Sequence, residues 1–106
     1  MIGTDLFKIS RIKLHSAFIN FILQKDELVE FNSLSSLYLK KRFLASHIAA
    51  KEAIFKATQD PQYLSYQMLH SKNGQPYIKD HPEIEISISH DGDYVLSFVI
   101  IHPLSD

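Results

Sequence analysis

The segment from residue 37 to residue 57 constrains the fold more than any other part of the sequence. It contains neither glycine nor proline, and Leu44, Ile48 and Phe55 recur at helical spacing. A second row on this segment consists of small residues four positions apart: Ala45, Ala49, Ala53 and Ala57. Small side chains let a neighbouring element approach closely. We therefore predict one long helix, ended before Pro61, that packs tightly against another element.

The last third of the chain has strand periodicity instead. Ile84, Ile86 and Ile88 alternate with polar residues, which is typical of a strand with one buried face. The dipeptides Asn73-Gly74 and Asp91-Gly92 mark two turns, and Asn-Gly is a strong hairpin signal. These signals predict four strands, at residues 63–70, 76–78, 84–89 and 94–101.

The first third combines a short extended segment, residues 2–9, with short helices. Ser10 is the predicted N-cap of a helical stripe that includes Phe18 and Ile22, and residues 25–34 form a second short helix. One strand, then helices, then a meander is typical of an α+β fold with an antiparallel sheet. We predict a single domain over residues 1–106, in which the long central helix packs on that sheet.

Composition excludes several classes of protein. A formal net charge of -1 disfavours non-specific nucleic-acid binding, which depends on a positive excess. The chain has no cysteine for disulfides, and its three glycines cannot build a GxGxxG or Walker loop. The apolar run at 95–101 is too short to span a bilayer, and no targeting signal is visible. We predict a soluble, cytoplasmic protein that binds neither nucleic acid nor membrane.

Glu52 and Lys56 lie four residues apart and therefore share one face of the long helix. On spacing alone they form an exposed ion pair, worth about 0.3–0.5 kcal/mol. Asp5 offers a second interpretation, because a carboxylate in an otherwise apolar segment requires a partner or a metal. Together Asp5 and Glu52 would suit Mg²⁺, which keeps several waters and accepts phosphate oxygens as further ligands.

Two further motifs have ordinary structural explanations. On pattern alone, the segment Asn73-Gly74-Gln75-Pro76 is a hairpin turn and His90 is a turn residue at a strand end. The six histidines show no metal-ligand spacing, so a zinc site is not predicted. A serine nucleophile is not predicted either, because the chain has no GxSxG elbow.

Five motifs resemble, in the same order, those of the holo-acyl-carrier-protein synthases, the short class of 4'-phosphopantetheinyl transferases. They are G-T-D at 3–5 with R-I at 11–12, F-I-L and E-L within 21–28, F-L-A and A-A-K-E-A-I-F-K-A within 43–57, N-G-Q-P at 73–76 and S-I-S-H at 87–90. Each motif alone is weak. The K-E-A-x-x-K-A helix between an upstream G-x-D and a downstream S-H is specific, and the resemblance covers nearly the whole chain.

The resemblance implies transfer of the phosphopantetheine arm of coenzyme A to a serine of an apo acyl carrier protein, with release of 3',5'-ADP. It implies that Asp5 and Glu52 hold Mg²⁺ against the pyrophosphate and that Lys56 contacts the same phosphates. These three are the predicted catalytic residues, because they lie where charge develops on the leaving phosphate. Arg11 would pair with acidic residues of the carrier protein. A metal-bound water or a carboxylate would take the serine proton, and the sequence leaves both open.

The same resemblance implies coenzyme A contacts from the long helix and the later strands. Those predicted contacts are Lys51, Lys56, Asn73, Gly74, Pro76, Ser89 and His90. Ser89 and His90 would meet the 3'-phosphate end of the ligand, and Asn73, Gly74 and Pro76 would line the adenine side. The metal-binding residues come early in the chain and the nucleotide-binding residues late. The resemblance also suggests a homotrimer, and we predict that its active sites are shared between neighbouring chains.

Two departures from the family pattern bear on coenzyme A affinity. His47 and Ile48 stand where the family has Arg-Phe, so a permanent cation is replaced by a group that is mostly neutral at pH 7. Residues 58–63, T-Q-D-P-Q-Y, replace a Gly-rich loop. One alternative is therefore a divergent, non-catalytic homologue that binds a carrier protein or coenzyme A. The other is an unrelated α+β interaction module in which Glu52 and Lys56 form a surface pair.

Overall fold

A long helix is the central element of the computed structural model, which describes residues 1–103. The helices are α1 (Ser16–Ile22), α2 (Lys25–Asn32) and α3 (Leu37–Thr58). At the start of α3 the Ser36 hydroxyl accepts the Leu39 N–H at 3.0 Å. At its end Gln59 takes a left-handed conformation with φ of 58°, and its N–H donates to the Phe55 carbonyl. The predicted long helix is confirmed, while residues 104–106 of the predicted domain lie outside the described residues.

Within residues 1–103, five strands form two antiparallel sheets. In chain order the strands are β1 (Ile2–Lys8), β2 (Met68–His70), β3 (Pro76–Ile78), β4 (Ile84–Asp91) and β5 (Tyr94–Ile101). The larger sheet has the spatial order β1-β5-β4, and β2 and β3 form a separate hairpin. Gly74 at φ of 87° and Gly92 at φ of 57° supply the left-handed turns of the two hairpins. The α+β fold with an antiparallel sheet is confirmed.

The first strand lies directly on the backbone of α3 because position 3 is glycine. A Cβ atom built at Gly3 would lie 1.9 Å from the carbonyl oxygen of Ala53, so any side chain there would collide with the helix. Ala49 and Ala53 are fully buried on the facing side of α3. The predicted close approach of a neighbouring element to the alanine row is therefore confirmed, and that element is β1.

The larger sheet has two chemically distinct faces. Its inner face, turned toward α3, carries the buried residues Val95, Ser97 and Val99 of β5. Its outer face carries exposed apolar side chains from β1 and β5: Ile2, Leu6, Tyr94, Leu96 and Phe98. Within residues 1–103, none of the helices combines the length and the apolar composition that a bilayer span requires.

The prediction that Ser10 caps a helix is wrong. Ser10 lies in a short 3-10 turn, Ile9–Arg11, and the first α-helix begins only at Ser16. Its hydroxyl and its N–H both donate to the carboxylate of Asp93, at 2.6 and 3.0 Å. The side chain that the pattern assigned to a helix end therefore ties the end of β1 to the turn between β4 and β5.

The predicted strand over residues 63–70 is also mostly wrong, because only Met68–His70 pairs with a neighbour. Tyr63–Ser65 is a 3-10 turn. The Asp60 carboxylate accepts the Gln62 N–H at 2.8 Å and the Tyr66 hydroxyl at 2.6 Å. This local capping holds the segment in turns and competes with an extended conformation.

Candidate active site

Asp5 on β1 and Lys56 on α3 meet where the strand lies on the helix. The Lys56 ammonium donates to Asp5 Oδ1 and to the Thr4 carbonyl, both at 3.0 Å. The Asp5 side chain is only 16% exposed, whereas the Lys56 side chain is 52% exposed. The carboxylate is thus held in a crevice, and the lysine keeps a solvent-facing side for a ligand. Gly3, two residues before Asp5, makes this contact possible by letting the strand approach the helix.

Glu52 precedes Lys56 by one helical turn and is half-buried. Burial first, and the nearby Glu52 carboxylate next, raise the pKa of Tyr63 above its ordinary value. The Tyr63 ring also packs against Phe55, with 5.1 Å between ring centroids. Glu52, Lys56 and Asp5 therefore place two carboxylates and one ammonium at the junction of α3 and β1.

A groove of about 290 Å³ opens beside Glu52. Its walls are mainly apolar and include Phe18 and Phe21 of α1, and Phe21 is 63% exposed. Arg11 lies on the same groove, with its guanidinium carbon 4.9 Å from the centre of the Phe7 ring. The structure thus brings Arg11 and Glu52, predicted to contact different parts of the substrates, to one groove.

A second cavity, of about 330 Å³, collects part of the predicted nucleotide site. Gly74 and Pro76 from the β2–β3 hairpin and His90 from the end of β4 all line it. None of Asp5, Glu52 and Lys56 lines this cavity. Glu52 therefore lines one cavity of the chain, and Gly74, Pro76 and His90 line a different one.

Two other predicted coenzyme A contacts lie near this second cavity but do not line it. Ser89 faces away from it, because Ser89 and His90 alternate along β4 and Ser89 pairs with the outer-face residue Leu96. Asn73 lies in the hairpin turn, where its Oδ1 accepts the Gln75 N–H and the Ser71 hydroxyl. Its carbonyl-type oxygen is therefore used to shape the turn.

Lys51, a further predicted coenzyme A contact, lies inside the protein with a side chain that is 1% exposed. Its ammonium donates to Glu27 Oε1 and to the Ile22 carbonyl, both at 2.6 Å, and to the Leu64 carbonyl at 3.0 Å. All three donors of the ammonium are used. Burial lowers the pKa of Lys51, and Glu27 opposes that shift. In this structure Lys51 has a structural role and offers no donor to a ligand.

His47, one of the two departures from the family pattern, is also fully buried. Its Nδ1 lies 2.7 Å from the Phe43 carbonyl and its Nε2 lies 2.9 Å from the Met68 carbonyl. Burial lowers the pKa of His47, and the carboxylate of Glu27, 3.6 Å from Nε2, opposes this. His47 therefore joins α3 to β2 at the wall of the second cavity, and in its neutral form the ring can donate to only one of these two carbonyls.

Two basic side chains that the motifs did not indicate also line the second cavity: Arg42 on α3 and His70 at the end of β2. His70 also binds Glu30, 2.8 Å from its Nδ1. A sequence signal existed for Arg42, because it ends the basic run K-K-R at residues 40–42. Arg42 and His47 line the same cavity, so Arg42 supplies a permanent cation there although His47 has replaced the arginine of the family pattern.

The donor set at the α3–β1 junction limits the kind of metal it could hold. Within the described part of the chain, no three acidic or histidine side chains cluster closely enough to enclose a metal. Asp5 and Glu52 supply hard carboxylate oxygens from only two residues. That set fits a cation such as Mg²⁺, which takes its remaining ligands from water and from substrate phosphates.

Comparison with protein families matches residues 1–99 to the 4'-phosphopantetheinyl transferase superfamily. The holo-[acyl-carrier-protein] synthase of Staphylococcus carnosus is 36% identical to the chain over 113 aligned residues, which cover 97% of each protein. The holo-[acyl-carrier-protein] synthase of Onion yellows phytoplasma is 34% identical, with 97% of this chain and 94% of that protein covered.

Solved structures give the same result for the fold. The crystal structure of holo-[acyl-carrier-protein] synthase from Neisseria meningitidis superposes with a TM-score of 0.83 at 28% identity, covering 96% of this chain and 97% of that one. The holo-(acyl-carrier-protein) synthase of Bacillus anthracis, in complex with CoA (3',5'-ADP), also gives a TM-score of 0.83 at 27% identity, with 94% and 93% covered. The long helix and the sheet described above are thus shared with these enzymes.

Proposed function

Because this chain belongs to the holo-[acyl-carrier-protein] synthase family of 4'-phosphopantetheinyl transferases, we propose that it modifies an apo acyl carrier protein in a Mg²⁺-dependent reaction. The 4'-phosphopantetheine group passes from coenzyme A to a serine of the carrier protein, and 3',5'-ADP is released. The observation that supports this most directly is the junction of α3 and β1, where Lys56 binds Asp5 and Glu52 lies one helical turn before Lys56.

In this proposal Asp5 and Glu52 hold Mg²⁺ against the pyrophosphate of coenzyme A. A cation bound there would neutralise the charge that develops on the leaving phosphate. Asp5 has a rigid support, since its strand lies on the helix backbone at Gly3. Glu52 lies on a packed helix, on the same groove as Tyr63. Both carboxylates thus project from packed elements that keep their oxygens in place.

Lys56 binds the same phosphate oxygens through the part of its ammonium that faces solvent. The side chain is half-exposed and already anchored by Thr4 and Asp5, so its position is defined before a ligand arrives. Arg11 meets acidic residues of the carrier protein at the rim of the groove that also contains Glu52. The serine of a docked carrier protein is thereby delivered next to the phosphate-binding groups.

The nucleotide end of coenzyme A binds in the second cavity, against Gly74, Pro76 and His90. Arg42 and His70 add cationic or hydrogen-bonding groups for the 3'-phosphate. Asn73 keeps the hairpin turn in shape. Ser89 contacts the ligand from the outer face of the sheet, and it reaches the nucleotide only at a cleft that includes a neighbouring chain.

The active assembly is a homotrimer whose active sites are shared between neighbouring chains. Two observations support it: Glu52 and the predicted nucleotide contacts of one chain line two different cavities, and the outer sheet face carries exposed apolar side chains. On that face Ile2 is 63% exposed, Leu6 59% and Phe98 41%. A face of this kind is typical of a protein interface. The cytoplasmic location expected from the sequence stays a prediction.

The test is transfer itself. The protein is incubated with apo acyl carrier protein, coenzyme A and Mg²⁺, and the carrier protein is weighed by mass spectrometry while 3',5'-ADP is measured separately. A mass gain of one phosphopantetheine with equimolar 3',5'-ADP supports the proposal. Binding of carrier protein or coenzyme A without modification supports the non-catalytic homologue, and no binding of either supports the unrelated interaction module.

The variant Glu52→Gln identifies the groups involved. It should abolish transfer at saturating Mg²⁺ while changing the free energy of unfolding by less than about 1 kcal/mol, since it removes only a partly exposed charge. Glu83→Gln is the matched control, because Glu83 is also partly buried but binds His81, away from both cavities. Near-normal turnover of Glu52→Gln would rule out the assignment of Glu52 to the metal.

A further inference from the structure

One buried hydroxyl has no role in the site described so far. Ser97, in the middle of β5, is fully buried on the inner face of the sheet. Within residues 1–103 its Oγ is the buried side-chain polar atom without a hydrogen-bond partner. Buried polar groups are nearly always paired, because an unpaired one loses its hydration without compensation. A serine kept here against that penalty requires an explanation.

The register of the sheet places Ser97 beside the predicted metal-binding carboxylate. Asp5 of β1 is its direct cross-strand partner, so the two side chains leave the sheet on the same face. The Thr4 hydroxyl donates to the Ser97 carbonyl at 2.9 Å and fixes the pairing locally. The other neighbours of Ser97 on this face are the apolar residues Ile88, Val95 and Val99. Asp5 alone among these neighbours has side-chain acceptor oxygens.

Asp5 in turn has a single donor in this structure. Lys56 binds Oδ1, and within the described residues Oδ2 accepts no hydrogen bond. The Lys56 side chain is half-exposed, and in the proposed function its ammonium is also the group that meets the phosphates of coenzyme A. When the ammonium also binds an anionic ligand, it is shared between that ligand and Asp5, so its hydrogen bond to Oδ1 weakens while Oδ2 still has no donor.

We propose that Ser97 is a positioning residue for Asp5, whose hydroxyl donates to the Asp5 carboxylate from the buried side when Lys56 engages the substrate. This hydrogen bond leaves the outward-facing lone pairs of the carboxylate free for a divalent cation. It also keeps the carboxylate from rotating out of its crevice, which is what supporting groups around a metal ligand generally do. The inference rests on the proposed function, because it takes Asp5 as a metal ligand.

The variant Ser97→Ala separates this role from a purely structural one. We expect it to weaken binding of Mn²⁺, measured by electron paramagnetic resonance in the presence of 3',5'-ADP, on the order of tenfold. The Mg²⁺ concentration for half-maximal transfer should rise by a similar factor. The thermal midpoint should stay unchanged or rise, because the variant removes an unpaired buried hydroxyl. A purely structural serine would give unchanged Mn²⁺ binding, whatever happened to the midpoint.

Ser33→Ala is the matched control, since Ser33 lies at the end of α2 and its hydroxyl donates only to the Glu30 carbonyl. It should leave Mn²⁺ binding and transfer at wild-type values. If wild-type protein binds Mn²⁺ and transfers phosphopantetheine but Ser97→Ala has wild-type Mn²⁺ affinity, this inference is overturned and the proposed function stands. If the wild type neither binds Mn²⁺ with 3',5'-ADP nor transfers the group, the proposed function and this inference are both wrong.

Discussion

Lys51 shows how strongly one residue can be constrained by neighbours that are distant in sequence. Its ammonium joins α3 to the carboxylate of Glu27 on α2, and Glu27 Oε2 in turn accepts the N–H of Met68 at the start of β2. Replacing Lys51 by Met should destabilise the protein by about 3–5 kcal/mol, because Glu27 is left as an unpaired buried charge. Urea unfolding of the variant measures this loss.

The double variant Glu27→Met/Lys51→Met is the control for Lys51. It removes both charges and should recover much of the stability that the single variant loses. A single variant as stable as wild type would show that the pair contributes nothing to the fold.

His47 gives the stability of the protein a defined pH dependence. Burial lowers its pKa in the folded state below the ordinary value of 6.5. Between these two values the unfolded chain binds a proton that the folded chain does not, so this contribution to stability is lost as the pH falls below 6.5. The loss is at most about 1.4 kcal/mol per pH unit.

The measurement for His47 compares urea unfolding at pH 7.5 and pH 5.5 for wild type and His47→Gln. The variant should lose less stability between the two pH values, because glutamine cannot titrate. An equal loss in both proteins would mean that other groups cause the pH dependence.

At the residue scale the motifs indicated Asp5, Glu52 and Lys56. The structure pairs Asp5 with Lys56 and places Glu52 one helical turn before Lys56, and their catalytic roles stay predictions. The same helix motif also suggested a ligand contact for Lys51, one residue from Glu52. Helical spacing alone cannot tell which face α1 and α2 will cover, and here they cover Lys51. The burial of a side chain depends on the elements that pack over it, and a local pattern does not contain them.

At the scale of elements, the contact between β1 and α3 depends on one missing side chain. Gly3→Ala should destabilise the protein strongly, by more than about 3 kcal/mol. The added Cβ collides with the backbone of α3, which cannot move aside as a flexible side chain could, so β1 must shift away from the helix. Transfer activity should fall with it, since Asp5 moves with the strand. Thermal unfolding and the transfer assay check the two effects.

Gly74→Ala is the matched control for Gly3→Ala. A Cβ at Gly74 meets no atom within 4 Å, so only its left-handed φ of 87° opposes the substitution. The cost should be about 1–2 kcal/mol. If Gly3→Ala lowered the free energy of unfolding less than Gly74→Ala, the close contact between β1 and α3 would not be important for stability.

The elements with strong local signals were predictable, and those held by side-chain capping were not. The hairpins at Gly74 and Gly92 and the long helix follow from turn residues and periodicity. The end of α3 is less regular: Gln59 takes a left-handed conformation that glycine usually provides, so the chain dispenses with a Gly-rich loop. The network of Asp60, Gln62 and Tyr66 then holds the next residues in turns, which an extended-looking sequence did not reveal.

At the scale of the whole molecule, the division of the site between two cavities predicts complementation. Asp5→Ala and His90→Ala should each be nearly inactive alone. When the two are mixed and reassembled, some clefts combine an intact Asp5 with an intact His90 from the neighbouring chain. Activity of the mixture should then clearly exceed that of either parent in the transfer assay.

Subunit exchange must be shown independently for this experiment, for example with fluorescently labelled chains. If the chains exchange and activity stays at the parental level, both halves of the site belong to one chain. The shared-site prediction would then be wrong, even for a trimeric protein.

If the apolar outer face of the sheet is the trimer interface, catalytic activity depends on the protein concentration. For the proposed trimer, Leu6, Leu96 and Phe98 face water in every dissociated chain, and their burial favours assembly. Stability then includes an association term that weakens as the protein is diluted. Specific activity is constant for an enzyme with a complete site in one chain. Here it would fall upon dilution, because the concentration of trimer depends on the third power of the free subunit concentration and the activity per chain therefore on its square. The abundance of the protein in its cell would thus set how active each copy is.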